Sequence, residues 1–280
     1  MKATYRSAGS TLAYRESGAG LPVVFLHPTP LDGRFWLPLV GELAGVRAIV
    51  PDLRGHGASE LGTPPAGGLA AVPDAPVLTM AQLASDILAL LDHLKVQTAV
   101  FAGCSIGGYV LLELWRRAPE RMRGLAFTCS KPQPDAAANI ARRSASIDKI
   151  RAGGDAEQLP EMMQTQIRSL TGKTAVERNP GIVAELISQV TLTPQALVAV
   201  QAGLGARPES ISTVATIRVP VLAIAGGEDS GVTPADMQAF QSAPGGCEYH
   251  LLPNAGHFAA YEQPQNVAAL MSPWLRQFMS

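Results

Sequence analysis

Two stretches of this chain carry residue types that could do chemistry together. One is a serine set between glycines, Gly103-Cys104-Ser105-Ile106-Gly107. The other is a histidine in a short loop near the C-terminal end, Pro253-Asn254-Ala255-Gly256-His257-Phe258. A serine hydroxyl is a poor nucleophile until a base takes its proton, and the base must be oriented and its charged form stabilised. An acid for that purpose follows the apolar run Ile224-Ala225, in Gly226-Gly227-Glu228-Asp229. Asp229 is the candidate and Glu228 its nearest competitor. Most aspartates in such loops are turn or cap residues, and most loop histidines simply face water. The surrounding elements are what raise these three above that reading.

Ser105 stands between an apolar run, Thr98 to Ala102, and a helical pattern opened by Ile106, Val110 and Leu114. A sharp strand-to-helix turn there holds the hydroxyl at the head of a sheet, beside the positive end of a helix. Cys104 next to it should point the other way and serve as a small packing residue. Asp229 and His257 each follow a predicted strand, Val219–Ala225 and Cys247–Leu252. Of the other histidines, His93 falls within a helix and His250 within a strand, both structural positions.

The rest of the chain alternates strands and helices. Residues 3–17 read as two short strands, and Pro22–His27, Arg47–Val50 and Leu125–Thr128 as buried ones. Arg34–Leu43, Thr79–Leu94, Pro234–Gln241 and Pro264–Phe278 read as helices. Thr79 and Gln82 have the spacing of a capping box, and residues 61–78 form a long Gly/Pro/Ala-rich loop. Residues 131–212 break the rhythm with helical stretches interrupted at Gly153-Gly154, Pro160, Pro180 and Pro194. The pattern predicts an α/β fold with a mostly parallel sheet covered on both faces. Residues 1–130 and 213–280 make its core, and 131–212 make a helical lid folded over the carboxyl ends of the strands, where such sheets place ligands.

A chain of 280 residues, 47% hydrophobic and with net charge −1, suits one compact domain and gives nothing to steer it toward nucleic acid. No apolar run is long enough to span a bilayer, and the N-terminus lacks the apolar core of a signal peptide. Three scattered cysteines, Cys104, Cys129 and Cys247, form neither a disulfide framework nor a metal spacing. A reducing cytoplasm is the expected home, with no metal and no cofactor. Nothing in the pattern marks an oligomer interface.

The order nucleophile, acid, histidine, with G-C-S-I-G-G, G-G-E-D and N-A-G-H-F, resembles the α/β-hydrolase superfamily. The likeness covers nearly all of the chain outside the lid, and D-L-R-G-H-G-A-S at 52–59 is similar to the loop after that family's fourth strand. It implies an eight-stranded, mostly parallel sheet, with Ser105 as nucleophile, His257 as base, Asp229 as orienting acid and His56 as a structural residue. It also implies an oxyanion hole made by the backbone N–H of Ile106 and a donor after the third strand. There the chain departs from the family: His27-Pro28-Thr29-Pro30 stands where H-G-x-P is usual. Proline has no N–H, so only Thr29 can donate, and Thr29-Pro30 is a candidate cis bond.

The implied activity is hydrolysis of a small-molecule carboxylic ester or lactone through an acyl-enzyme, in the serine esterase and enol-lactonase-like branch. Carbon–carbon bond hydrolysis, acyl transfer, peracid formation and a non-hydrolytic tailoring or ligand-sensing role remain alternatives on the same fold. Trp36 and Phe258 are expected pocket walls. Met162 and Met163 suit either an adaptable pocket or core. Arg142 and Arg143 suit either a carboxylate-binding site or a solvated helix face, the second being the expected one.

Overall fold

A computed structural model describes residues 2–152 and 159–279 of the chain. The break expected at Gly153-Gly154 lies outside the described residues. Eight strands form one sheet: β1 (Lys2–Ser7), β2 (Ser10–Gly18), β3 (Leu21–Leu26), β4 (Val46–Pro51), β5 (Ala99–Cys104), β6 (Met122–Thr128), β7 (Val221–Gly226) and β8 (Cys247–Leu252). Their spatial order is β1-β2-β4-β3-β5-β6-β7-β8. β2 pairs antiparallel with β1 and β4, and every other pairing is parallel. From β3 the chain steps one way to β4, then crosses back to β5 on the other side. That reversal opens a crevice beyond the carboxyl ends of β3 and β5, the place where an open parallel sheet takes its ligand.

The central strands are continuous apolar runs because both faces are covered. Alternate residues of β3 go to opposite sides: Val24 and Leu26 join one core cluster, Val23 and Phe25 the other. The first cluster lies under α2 (Met80–His93) and α3 (Ile106–Arg117), and the second under α1 (Leu37–Glu42) and the C-terminal helices. Cys104 falls in the second cluster with Val100 and Ala102, on the face away from α3, as the turn geometry required.

Between β6 and β7 lie α4 (Ala137–Arg151), α5 (Leu159–Leu170), α6 (Lys173–Arg178), α7 (Ile182–Ile187), α8 (Pro194–Gly205) and α9 (Ile211–Val214). After β7 come α10 (Pro234–Met237), α11 (Ala259–Glu262) and α12 (Pro264–Arg276). The inserted helices do not sit loosely on top. Ile147 and Val200 belong to the first core cluster, and Ile167 and Leu186 to the second. Gly203 lets α8 lie directly on the chain before α2, since a Cβ there would fall 1.9 Å from the Leu78 carbonyl oxygen.

Two local expectations change. The helix read over 34–43 is a 3₁₀ turn, Gly33–Trp36, followed by α1, whose first turn carries Pro38, a residue suited to a helix start. Thr79 caps α2 by accepting from the Gln82 amide at 3.1 Å, but the Gln82 side chain turns to Asp86 instead of closing the box. A full capping box forms at Thr233 and Asp236.

Candidate active site

Ser105 occupies the residue between β5 and α3 with φ 53° and ψ −117°, a left-handed conformation that costs energy for a non-glycine residue. Its neighbours make the turn possible. A Cβ on Gly107 would fall 2.1 Å from the carbonyl oxygen of Leu26, so only glycine lets α3 start this close to β3. A Cβ on Gly108 would meet the Ser130 hydroxyl oxygen at 2.2 Å. Ser130 itself donates that hydroxyl to the Ser105 carbonyl at 2.9 Å, and the Ser105 N–H donates to Thr128. The serine is thus anchored through its backbone by β6, with its side chain left to the cavity.

His257 lies on the loop after β8 and Asp229 on the loop after β7. Their side chains meet at 2.8 Å, Nδ1 to Oδ2, and both are almost fully buried. The other carboxylate oxygen of Asp229 accepts the amides of Gly231 at 2.7 Å and Val232 at 3.0 Å. The acid is therefore locked by its own loop and can only present one oxygen to the ring. Burial disfavours the charged imidazole, but the Asp229 charge and hydrogen bond outweigh it and raise the His257 pKa above its ordinary value. Glu228, the competing acid, is turned away. Its two oxygens accept the Thr174 hydroxyl at 2.6 Å and the Thr174 amide at 2.9 Å, at the start of α6.

The loop after β3 carries Thr29, buried beside the crevice. The Thr29-Pro30 peptide is cis. The Thr29 hydroxyl lies 3.0 Å from His56 Nε2, and His56 Nδ1 lies 3.0 Å from the Arg54 carbonyl. A carbonyl only accepts, so Nδ1 carries the proton and Nε2 takes one from Thr29. Burial, with the neighbouring His27, pushes the His56 pKa down to about 3, which keeps the ring neutral. His27 repeats the pattern: Nδ1 faces the Pro28 carbonyl at 3.0 Å and Nε2 accepts the Leu53 amide at 2.9 Å. Both rings tie the H-P-T-P loop to the loop after β4, so His56 and His27 are structural. The remaining expected donor, the amide of Ile106, is among the first of α3, which a helix leaves without an internal acceptor.

Thr29, Ser105 and His257 open onto one cavity of about 710 Å³. Its walls come from α4, α5, α8 and the loops after β6 and β7, with Tyr109, Lys131, Arg143, Met162 and Gln201 among the lining residues. Met163, by contrast, is buried core. Trp36 and Phe258 do not line the cavity. Both are fully buried in the second core cluster, where Phe35 packs edge-on against each ring at 4.9 and 6.3 Å. Adjacency in sequence misled here, because the residue after His257 points to the opposite side of its loop. Of the two readings for Arg142 and Arg143 the solvated face does not hold: both face the cavity, and Arg143 pairs with Asp135 at 2.6 Å, which Arg207 also engages at 2.8 Å. The alternation on α4 of cavity-facing Asn139, Arg142 and Ser146 with buried Ile147 and Ile150 was the available signal for this.

Among the described residues no helix is long and apolar enough to cross a membrane. A model of the alpha/beta hydrolase family matches residues 23–270. Two enol-lactonases of Acinetobacter baylyi are similar over most of their length. 3-Oxoadipate enol-lactonase 2 is 30% identical across 76% of this chain and 73% of its own. 3-Oxoadipate enol-lactonase 1 is 26% identical across 96% and 94%. A thermophilic esterase from Thermogutta terrifontis, solved with malate bound, superposes with a TM-score of 0.87 at 27% identity and covers all of both chains.

Proposed function

The chain belongs to the α/β-hydrolase family, and from that membership we propose that it is a serine hydrolase of carboxylic esters or lactones. Ser105 attacks the carbonyl carbon while His257 takes its proton, and the developing oxyanion is met by the amides of Ile106 and Thr29. Collapse expels the alcohol, protonated by His257, or opens the lactone ring. Water activated by His257 then releases the acid from the acyl-serine. The observation that carries this reading is the 2.8 Å bond between a base and an acid from two different loops. That base opens onto the same cavity as a strained serine at a strand–helix elbow.

The relatives named as esterase and enol-lactonases support this choice of substrate class. A cavity of about 710 Å³ suits a small to medium acyl group. Residues 131–212 act as the lid, supplying most of the walls and hence the specificity. Cytoplasmic residence fits three free cysteines, two of them buried. The test is a fluorophosphonate probe followed by peptide mapping, with turnover of a panel of short p-nitrophenyl esters and lactones. Labelling at Ser105 with turnover is expected. Modification elsewhere, or binding without turnover across the panel, would overturn the reading.

A further inference from the structure

The backbone that carries His257 is held by groups from outside its own loop. The Gly256 N–H donates to Glu262 at 2.6 Å and the Phe258 N–H donates to the same carboxylate at 3.2 Å. Between them, the His257 N–H donates to the Leu170 carbonyl at 2.8 Å. The carbonyls of Gly256 and His257 accept from the thiols of Cys129 and Cys104, at 3.5 and 3.6 Å. Every backbone polar group of Gly256 and His257 is thereby paired, which leaves this short loop little freedom to shift.

Glu262 also takes the amide of Gly172, at 3.3 Å, and so joins the histidine loop to the insertion. The two backbones touch there. A Cβ on Gly256 would fall 2.2 Å from the Gly172 nitrogen, and a Cβ on Gly172 would fall 2.7 Å from Glu262. The same inserted segment reaches the acid's loop. Ser230 donates to the Ser169 carbonyl at 2.8 Å, and Thr174 binds Glu228 through both its amide and its hydroxyl. Residues 169–174 therefore bridge the loops of base and acid, with Glu262 at the join.

We propose that Glu262 is a positioning residue for the base, acting with residues 169–174 of the insertion to hold His257 against Asp229 and toward Ser105. This rests on the serine-hydrolase reading above. An ionised carboxylate, which only accepts, matches three amide donors. It also places a second negative charge near the ring. The charged groups facing His257 are Asp229 from the loop after β7, Glu262 from α11 and Lys131 from the loop after β6, the last opposing the other two. Facing Glu262 are His257 and, across Gly172, Glu228. Burial raises the Glu262 pKa and the three amides work against that rise.

The experiment follows the rate of fluorophosphonate labelling at Ser105 as a function of pH, in the full-length protein and in Glu262→Gln and Glu262→Asp. In Glu262→Gln the plateau rate should fall roughly 10- to 100-fold, as a misplaced base requires. The midpoint of the acid limb should move down by about half a pH unit or more, because a charge favouring the imidazolium is lost. Glu262→Asp keeps the charge with a shorter reach, so it should slow labelling and leave the midpoint near native. If Glu262→Gln labels at the native rate and midpoint, the proposal fails. It fails equally if the rate falls with the melting temperature while the midpoint stays put, since that describes a plain loop brace. Should Glu262→Gln not fold, Glu262→Asp decides: slower labelling at an unmoved midpoint supports the proposal and native labelling overturns it. Absence of any Ser105 labelling in the native protein removes the serine-hydrolase reading itself, whereas normal native labelling with an indifferent Glu262 removes only this inference.

Discussion

The hydroxyl of Thr29 donates to Nε2 of His56 at 3.0 Å, which engages that side chain with the scaffold and leaves the backbone N–H as the only donor of Thr29 open to the reaction. The two functions can be separated. Thr29→Ala leaves a buried imidazole nitrogen unsatisfied and should cost about 1–3 kcal/mol of stability, with kcat changed only modestly. Thr29→Pro removes the N–H and should cost about 2.7–4 kcal/mol in the transition state, on the order of 10²–10³ in kcat. Melting temperature and kcat of both variants check this. A Thr29→Ala variant as slow as Thr29→Pro while still folded would make the hydroxyl the important group.

If Ser105 is the nucleophile as proposed, Ser105→Ala should lose at least ~10³ of the hydrolytic rate, because the members of such a triad act as a unit. It should also lose all labelling by a fluorophosphonate while keeping its fold. Full activity in this variant would place the nucleophile elsewhere.

Asp229→Asn should keep the fold and lose roughly 10⁴ in kcat, since the ring is then held in the wrong tautomer without its charge partner. Glu228→Gln should be mild in rate, because that carboxylate serves Thr174. Steady-state kinetics of the pair decide between the two acids, and a reversal of the two effects would reassign the role.

The pH dependence follows from the raised His257 pKa. A general base works only when neutral, so with His257 in the proposed role kcat/KM should fall on acidification with a midpoint above 6.5, the ordinary imidazole value. Stability runs the other way. A pKa raised on folding adds stability that is complete below the unfolded value and fades as pH rises through the folded one. In Asp229→Asn the acid limb of any residual activity should move down, and this stability contribution should shrink. Rate–pH and melting–pH profiles of the two proteins test both signs, and an unmoved limb would disconnect His257 from the profile.

Replacing residues 131–212 with a short linker should abolish cooperative unfolding. The replacement strips Ile147, Ile167, Leu186 and Val200, all fully buried, from both core clusters. At about 1.5–3 kcal/mol for each large aliphatic side chain, the loss rivals the whole stability of a typical domain, roughly 5–15 kcal/mol. A denaturant titration of the shortened chain that keeps a sharp transition would instead mark the insertion as a detachable cover.

The strands and the elbow were legible because their signals are local. Val23-Val24-Phe25-Leu26 is an unbroken apolar run, and Gly103 to Gly107 set the turn within five residues. Asp229 could be found because it follows the apolar run of β7, and His257 because it follows the strand read over Cys247–Leu252. The pairings across the fold had no such signal. Nothing near Thr29 marks His56 as its partner, and nothing in Leu170-Thr171-Gly172 announces contact with Gly256. The pocket wall failed as an expectation for a related reason. Position beside a site residue does not say which way a side chain leaves a loop, so Phe258 went to the core and Arg143, six residues beyond a helix start, came to the cavity.

The eight-stranded order sets the sequence in which the site comes apart. Ser105 and the Thr29 loop follow β5 and β3, interior strands paired on both sides, whereas His257 lies on the loop after β8, which pairs only with β7 at the sheet's edge. Local opening begins where backbone hydrogen bonds face solvent and few neighbours hold a strand. With the roles proposed above, opening that starts at β8 should displace His257 while Ser105 and the amides of Ile106 and Thr29 are still in place. Amide hydrogens of β3 and β5 should then exchange only with the whole domain, and under mild denaturant activity should fall before the core unfolds.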